Sequence, residues 1–227
     1  MNIRAQRIEL RLDAGTTLRP RPSLALVPPP ATPIVFIVDS DVSARYSLES
    51  LVGTAGWKVE AFCSAKELLA RPRSSVPACL VLDAANGLDM QQRLADRPEM
   101  PIIFVSGSGD VRTAVNAMKA GAVEFFLKPL ADELLLGAMR DAIERSRLAL
   151  ARQTELEALR LRYASLTCRE RDVMALVICG RLNKQAGAEL GISEITVKAH
   201  RGNMMRKMEA RSLPDLVNMG AKLFPTT

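Results

Sequence analysis

The chain predicts two folds in series: a doubly wound α/β domain with a five-stranded parallel sheet, then an all-α domain of four helices containing a helix–turn–helix. Three observations carry this. Short, continuously apolar runs such as IVFIV (34–38), ACLVL (78–82) and IIFVS (102–106) read as strands buried on both faces. Those runs alternate with helical patterns, which implies right-handed crossovers between parallel strands. From Asp132 onward the pattern is helical alone.

The elements follow in order. After the first strand, Val42 to Ala55 reads as a helix ending near Gly56, and WKVEAF (57–62) as a strand. Ser64 and Glu67 have the spacing of a capping box at the start of a short helix. The third strand, 78–82, precedes a short helix from Leu88 to Ala95. The fourth, 102–106, leads to a helix from Asp110 to Ala120, and VEFFL (123–127) is the fifth strand. From Asp132 to Leu161 there is no proline and one glycine, Gly137, among strong helix formers, so a helical linker is expected. Thr167 and Glu170 form a second capping-box pattern, opening a helix to about Gly180. Leu182 to Leu190 reads as a helix, and Ser193 caps the next helix, which runs to about Met208. Ser212 caps a last helix with Pro214 in its first turn, where proline is tolerated. The expected organisation is an extension (1–32), an α/β domain (33–147), a helical linker (148–159) and an all-α domain (160–225). The proline-rich stretch 20–33 cannot sustain a helix or central strand, so 1–32 is expected to be mobile or loosely docked.

Charge is unevenly spread. Net charge is +3 over 1–32, −2 over 33–150 and +5 over 151–227. A basic C-terminal third beside an acidic middle suits a polyanion-binding module or a solvated basic face. No apolar run of roughly 18 residues is present, so no membrane span is expected. The charged N-terminus lacks a secretion signal, and a cytoplasmic location is expected. Cys63, Cys79, Cys168 and Cys179 have no C-x-x-C spacing, and with the single His200 they predict no zinc site. Cys79 and Cys179 sit in apolar runs and are expected in the core.

Ala186, Leu190, Ile192, Ile195 and Val197 are spaced to hold two helices across a turn, with Gly191 where a positive φ is needed. The exposed face of the second helix then offers Thr196, Lys198, Arg201, Asn203 and Arg206, a set suited to phosphates and base edges. In the α/β domain, Asp39, Asp41, Asp83, Ser106 and Lys128 each follow or close a strand. In a doubly wound sheet, ligands bind at those carboxyl ends. Clustered carboxylates can hold Mg²⁺, and an aspartate beside cations can attack a phosphoryl group.

Two sets of motifs carry a resemblance. LTCRERDV (166–173), GRLNKQ (180–185), AELGISEITVKAHR (188–201) and MRKMEARS (205–212) resemble the LuxR-type helix–turn–helix, particularly the FixJ branch of the FixJ/NarL response regulators. VDSD (38–41), LVLD (80–83), SGSGDV (106–111), AMKAGAVEFF (117–126) and LKP (127–129) resemble the flavodoxin-like receiver domain of such proteins. The resemblance implies a DNA-binding transcription regulator of the two-component type rather than an enzyme. Its implied partners are double-stranded promoter DNA, a sensor histidine kinase, RNA polymerase and a second copy in a homodimer on DNA. It implies that Asp83 is the phosphoacceptor, Ser106 the switch hydroxyl, Phe125 the switch aromatic and Lys128 the partner of the phosphoryl group. It also implies a cis Lys128–Pro129 bond. Mg²⁺ would be held by Asp39, Asp83 and the Ala85 carbonyl. On the DNA side, Lys198, Ala199 and Gly202 take base-facing positions. Asn183, Lys184, Thr196 and Arg206 are expected at phosphates, with Ser193, Arg201 and Asn203 nearby. His200 either packs and bonds to the backbone or reads a base. The last helix resembles the family's dimerisation helix.

Two departures matter. The family's pair of adjacent acids after the first strand is here Asp39 and Ser40. The loop after Asp83 reads Ala84, Ala85, Asn86, Gly87, about four residues short of the family's form and lacking its Met-Pro turn. Three carboxylates overcompensate a divalent cation, whereas two merely balance it. Phosphorylation of Asp83 is therefore expected to be slow, weak or absent. Control by partner binding, constitutive DNA binding, a phosphate sink and a partner-sequestering role are the alternative readings.

Overall fold

The computed structural model describes residues 31–225, so most of the expected extension lies outside the described residues. The chain begins with β1 (Ile34–Val38), α1 (Val42–Thr54), β2 (Lys58–Phe62), α2 (Ala65–Leu69) and β3 (Ala78–Asp83). A single 3₁₀ turn, Ala84–Asn86, runs straight into α3 (Gly87–Arg93). Then come β4 (Ile102–Ser106), α4 (Val111–Lys119), β5 (Glu124–Leu127) and α5 (Asp132–Ala164). The C-terminal part holds α6 (Cys168–Ile178), α7 (Asn183–Leu190), α8 (Glu194–Met208) and α9 (Leu213–Leu223).

The sheet has five strands in the order β2-β1-β3-β4-β5, all pairs parallel. Alternation sorts its side chains. Phe36, Val38, Leu80, Leu82 and Phe104 pack on one face with Leu68, Met90 and Ala117 from α2, α3 and α4. Val35, Ile37, Val81, Ile103 and Val105 pack on the other with Leu48 and Val52 of α1 and Leu135, Met139 and Ile143 of α5. Every strand points its carboxyl end to the same edge, so Asp39, Asp83, Ser106 and Lys128 meet there.

α5 is one unbroken helix from the sheet through the expected linker. Buried Ser146 anchors it: its hydroxyl accepts from Ala78 N–H at 2.9 Å and donates to the Glu99 carbonyl. The end of α5 contributes Leu159 to a third core, with Val173, Met174 and Val177 of α6, Ala186 of α7, Val197, Met204 and Met208 of α8, and Leu216 of α9.

The caps follow the sequence with one exception. Thr167 and Glu170 form a full capping box, Ser193 accepts from Thr196 N–H, and Ser212 accepts from Asp215 N–H. Ser64 makes no side-chain cap bond, and Glu67 instead accepts from the Cys63 thiol at 2.9 Å. Cys179 is exposed, contrary to expectation, because it lies at the C-cap of α6 where the helix turns away from its core; Cys79 is fully buried. Ile195 also departs from expectation. Val197 points inward at 0% exposure, whereas Ile195 is 80% exposed, since two residues on a helix lie about 200° apart.

Candidate phosphoacceptor pocket and DNA interface

The cleft at the carboxyl edge of the sheet is lined by Asp39, Ser40, Asp83, Ser106, Asp110 and Lys128, among others. Asp39 is buried, and both its oxygens are engaged: Oδ2 with Lys128 Nζ at 2.9 Å, Oδ1 with Asp41 N–H at 2.9 Å. Asp41 turns away to cap α1, accepting from Ser43 N–H at 2.8 Å, while still standing at the cleft rim. The Arg45 guanidinium donates to the Asp39 carbonyl, steadying the turn from below.

Asp83 is half-buried at the end of β3. Partial burial, followed by the negative charge of Asp39, pushes its carboxyl above the usual range; Lys128 and the backbone N–H groups of Ala85 and Ala84 pull the other way. Lys128 thus serves two carboxylates but bonds directly to Asp39. Ser106 closes β4 buried, accepts from Ser108 N–H at 3.1 Å and donates to the Ser108 carbonyl at 2.9 Å. The Lys128–Pro129 bond is cis.

Gly87 explains how so short a loop fits after Asp83. A Cβ there would stand 2.2 Å from Phe104 Cε1. Phe104 in turn stacks on Phe125, centroids 6.1 Å apart at 26°. Phe125 is half-buried in this aromatic pair.

Ser40 supplies at best a neutral hydroxyl where a second acid would sit beside Asp39, and both Asp39 oxygens already have partners. Among the described residues no group of three or more acidic, histidine or cysteine side chains is placed to hold a metal ion.

In the C-terminal domain, α7 and α8 meet across Gly191 at φ 67°, the left-handed C-cap the turn requires. Gly187 lets the helices approach: a Cβ there would stand 2.8 Å from the Ile192 carbonyl oxygen. Lys184, Ser193, Thr196, Lys198, Ala199, Gly202, Asn203 and Arg206 are exposed. Several are pre-oriented by neighbours. Lys198 Nζ lies 2.9 Å from Glu194 Oε1, and this bond holds the Glu194 carboxyl below the usual range. Arg206 donates to Asn203 Oδ1 at 3.0 Å, and the Ser193 and Thr196 hydroxyls lie 2.8 Å apart. Arg201 is not on the open face expected of it. It is half-buried and donates to Asn183 Oδ1 at 3.0 Å, tying α8 to the start of α7. His200 is half-buried on the flank of the inward-facing side.

Sequence reasoning missed Ser108 and Thr113 at the cleft and the outward turn of Ile195. The Asp110–Thr113 spacing of an N-cap was the available signal for Thr113. For Ile195, strict helical phase relative to Val197 would have sufficed.

Comparison with known proteins agrees in both halves. Residues 35–140 match the response regulator receiver domain, and 164–220 match the bacterial regulatory proteins of the luxR family. The chain is 46% identical to nodulation protein W of Bradyrhizobium diazoefficiens, over 84% of this chain and 86% of that protein. It is 44% identical to response regulator protein TodT of Pseudomonas putida over the same shares. The solved structure of response regulator StyR aligns with a TM-score of 0.70 and 41% identity, covering 85% of this chain and 100% of that one. Receiver domains typically bind Mg²⁺ at the phosphorylation site and interact with kinases, and a LuxR-type helix–turn–helix implies DNA binding. Among the described residues, no helix is long and apolar enough to cross a membrane. With a receiver followed by a luxR-family module, and 36–46% identity over more than four fifths of its length to proteins that include FixJ and TodT, the chain belongs to the DNA-binding two-component response regulators of the FixJ/NarL type.

Proposed function

We propose that this response regulator binds promoter DNA in the cytoplasm as a homodimer, through α8 in the major groove, and contacts RNA polymerase there. Its output is DNA binding, with no catalytic turnover. Lys198, Ala199 and Gly202 face base edges. Asn183, Lys184, Thr196 and Arg206 meet phosphates, with Ser193, Asn203, His200 and the Asn183-bound Arg201 around them. The exposed residues Leu213 and Val217 on α9 support a second copy packing there.

In the receiver, Asp83 is the acceptor carboxylate, with Ser106, Lys128 and Phe125 as its switch partners. The observation that carries the regulatory reading is the occupied state of Asp39. Its oxygens bond to Lys128 and to the Asp41 amide, and Ser40 brings no charge in compensation. Removing even an outer contact at a metal site costs about 10–100-fold in affinity. Mg²⁺ therefore binds weakly, and Asp83 is a slow acceptor from a histidine kinase or a small phosphodonor. Control then rests mainly on what the receiver contacts.

The test incubates the full-length protein with acetyl phosphate and millimolar Mg²⁺ and follows intact mass. Slow, substoichiometric addition of one phosphoryl group, absent in Asp83→Ala, is the expected result. Rapid stoichiometric addition would overturn weak phosphorylation. Addition that survives Asp83→Ala would overturn the acceptor assignment.

A further inference from the structure

The outward ridge of α8 carries one bulky apolar side chain. Residues 195, 199, 202 and 206 fall on one stripe of the helix, at spacings of 4, 3 and 4. Arg206 ends that stripe near the helix C-terminus. Ala199 contributes one methyl, and nothing lies within 4 Å of where a Gly202 Cβ would stand, so the middle of the ridge is flat. Ile195, the second residue of α8, stands 80% exposed at the other end. Lys198 and Thr196 flank it, and both are exposed.

Single exposed apolar residues are common on protein surfaces and by themselves need no account. Position distinguishes this one. Residues toward the N-terminus of a recognition helix are among those that reach base edges. A β-branched side chain on a helix is nearly locked at χ1, so Ile195 presents a fixed shape at little entropic cost. It has no donor or acceptor, and so cannot bond to a phosphate or to a polar base edge. The apolar feature that a major groove offers is the C5-methyl of thymine.

We infer that Ile195 reads a thymine C5-methyl in each half-site, selecting a base by apolar contact. This rests on the reading of α8 as the major-groove helix. It also assigns different work along the ridge. Lys198, released from Glu194, supplies hydrogen bonds and charge, while Ile195 supplies discrimination that is independent of salt.

The experiment first selects a high-affinity duplex from a random-sequence pool with the full-length protein. Each thymine of that duplex is then replaced in turn by deoxyuridine, which removes only the methyl. At one thymine per half-site, wild-type affinity should fall about 3–5-fold, the effect of losing one buried methyl. Ile195→Ser should bind the thymine and uracil duplexes equally, whereas Ile195→Val should keep the preference. Thermal melts of both variants should match wild type, because the side chain is exposed. Uracil tolerance at every position, or a methyl preference that persists in Ile195→Ser, would overturn the inference. Failure to select any sequence from the pool would instead overturn the DNA-reading role of α8.

Discussion

Lys128 Nζ lies 2.9 Å from Asp39 Oδ2, so the ammonium of the receiver cleft already has a carboxylate partner. A divalent ion entering here must compete with that bond, and of the other acids at the cleft Asp41 and Asp110 are engaged in capping α1 and α4, which leaves Asp83. Ser40→Asp should remedy this directly. It adds a carboxylate beside Asp39 at the cleft mouth, raising Mg²⁺ affinity at least about 10-fold. Calorimetric titration of Mg²⁺ checks the affinity, and intact mass with acetyl phosphate checks the accompanying gain in acceptor rate. Unchanged affinity would mean that the missing acid is not what limits the site.

The raised carboxyl of Asp83 makes a stability prediction with a definite sign. Partial burial and Asp39 disfavour the charged form in the folded state. Above the folded pKa the carboxylate therefore destabilises the fold, and the penalty is relieved as pH falls through that value. Asp83→Asn should raise Tm at pH 7 by about 1–3 °C, discounted for partial exposure. The gain should vanish in acid. Equal gains at pH 7 and pH 3 would argue against electrostatics as the cause.

Glu170 has the opposite sign. Its buried carboxylate bonds to Lys207 Nζ at 2.6 Å and accepts from Thr167 N–H at 2.8 Å, joining α6 to α8. The Lys207 bond, ahead of the other causes, holds the Glu170 carboxyl below its usual range. This stabilisation is complete above the unfolded pKa, about 4.3, and is lost as pH falls through the depressed folded value. Glu170→Ala should cost about 2 kcal/mol at pH 7, through the lost cap and the unpaired lysine. Denaturant melts at neutral and acid pH should show that difference closing.

Gly87 and Gly202 make a contrasting pair. Phe104 is buried against Phe125 and cannot yield to a methyl 2.2 Å away, so Gly87→Ala should cost about 1–3 kcal/mol. The same change at Gly202 meets nothing within 4 Å and should gain about 0.5–1 kcal/mol from helix propensity. Urea denaturation of the two variants checks the contrast.

Much of this was legible in the sequence, for physical reasons that differ by element. Runs such as IVFIV and IIFVS declare strands covered on both faces, and the Asp or Ser that ends each run inherits its place at the cleft. Thr167–Glu170 and Ser193 declare helix starts because their side chains have local partners. Ser64–Glu67 has the same spacing but fails, since the Cys63 thiol takes the Glu67 oxygen instead. Partnerships between distant segments were not legible. Lys128 with Asp39, Arg201 with Asn183 and Lys207 with Glu170 depend on tertiary placement that no local pattern encodes. The exposure of Ile195 is a matter of helical phase, because Ile195 and Val197, two residues apart, point about 200° apart around α8.

The central claim is that α8 reads sequence while α7 holds the backbone. Competition binding on the pool-selected duplex, against a scrambled duplex, tests it most directly when done at 50 and 200 mM salt, within the range where counterion release governs affinity. Wild type should prefer the selected duplex, with affinity for both falling steeply as salt rises. Lys198→Ala should lose most of the preference, and Lys184→Ala should weaken both duplexes alike. Equal, sequence-blind losses from the two variants, or no preference in the wild type, would contradict the account.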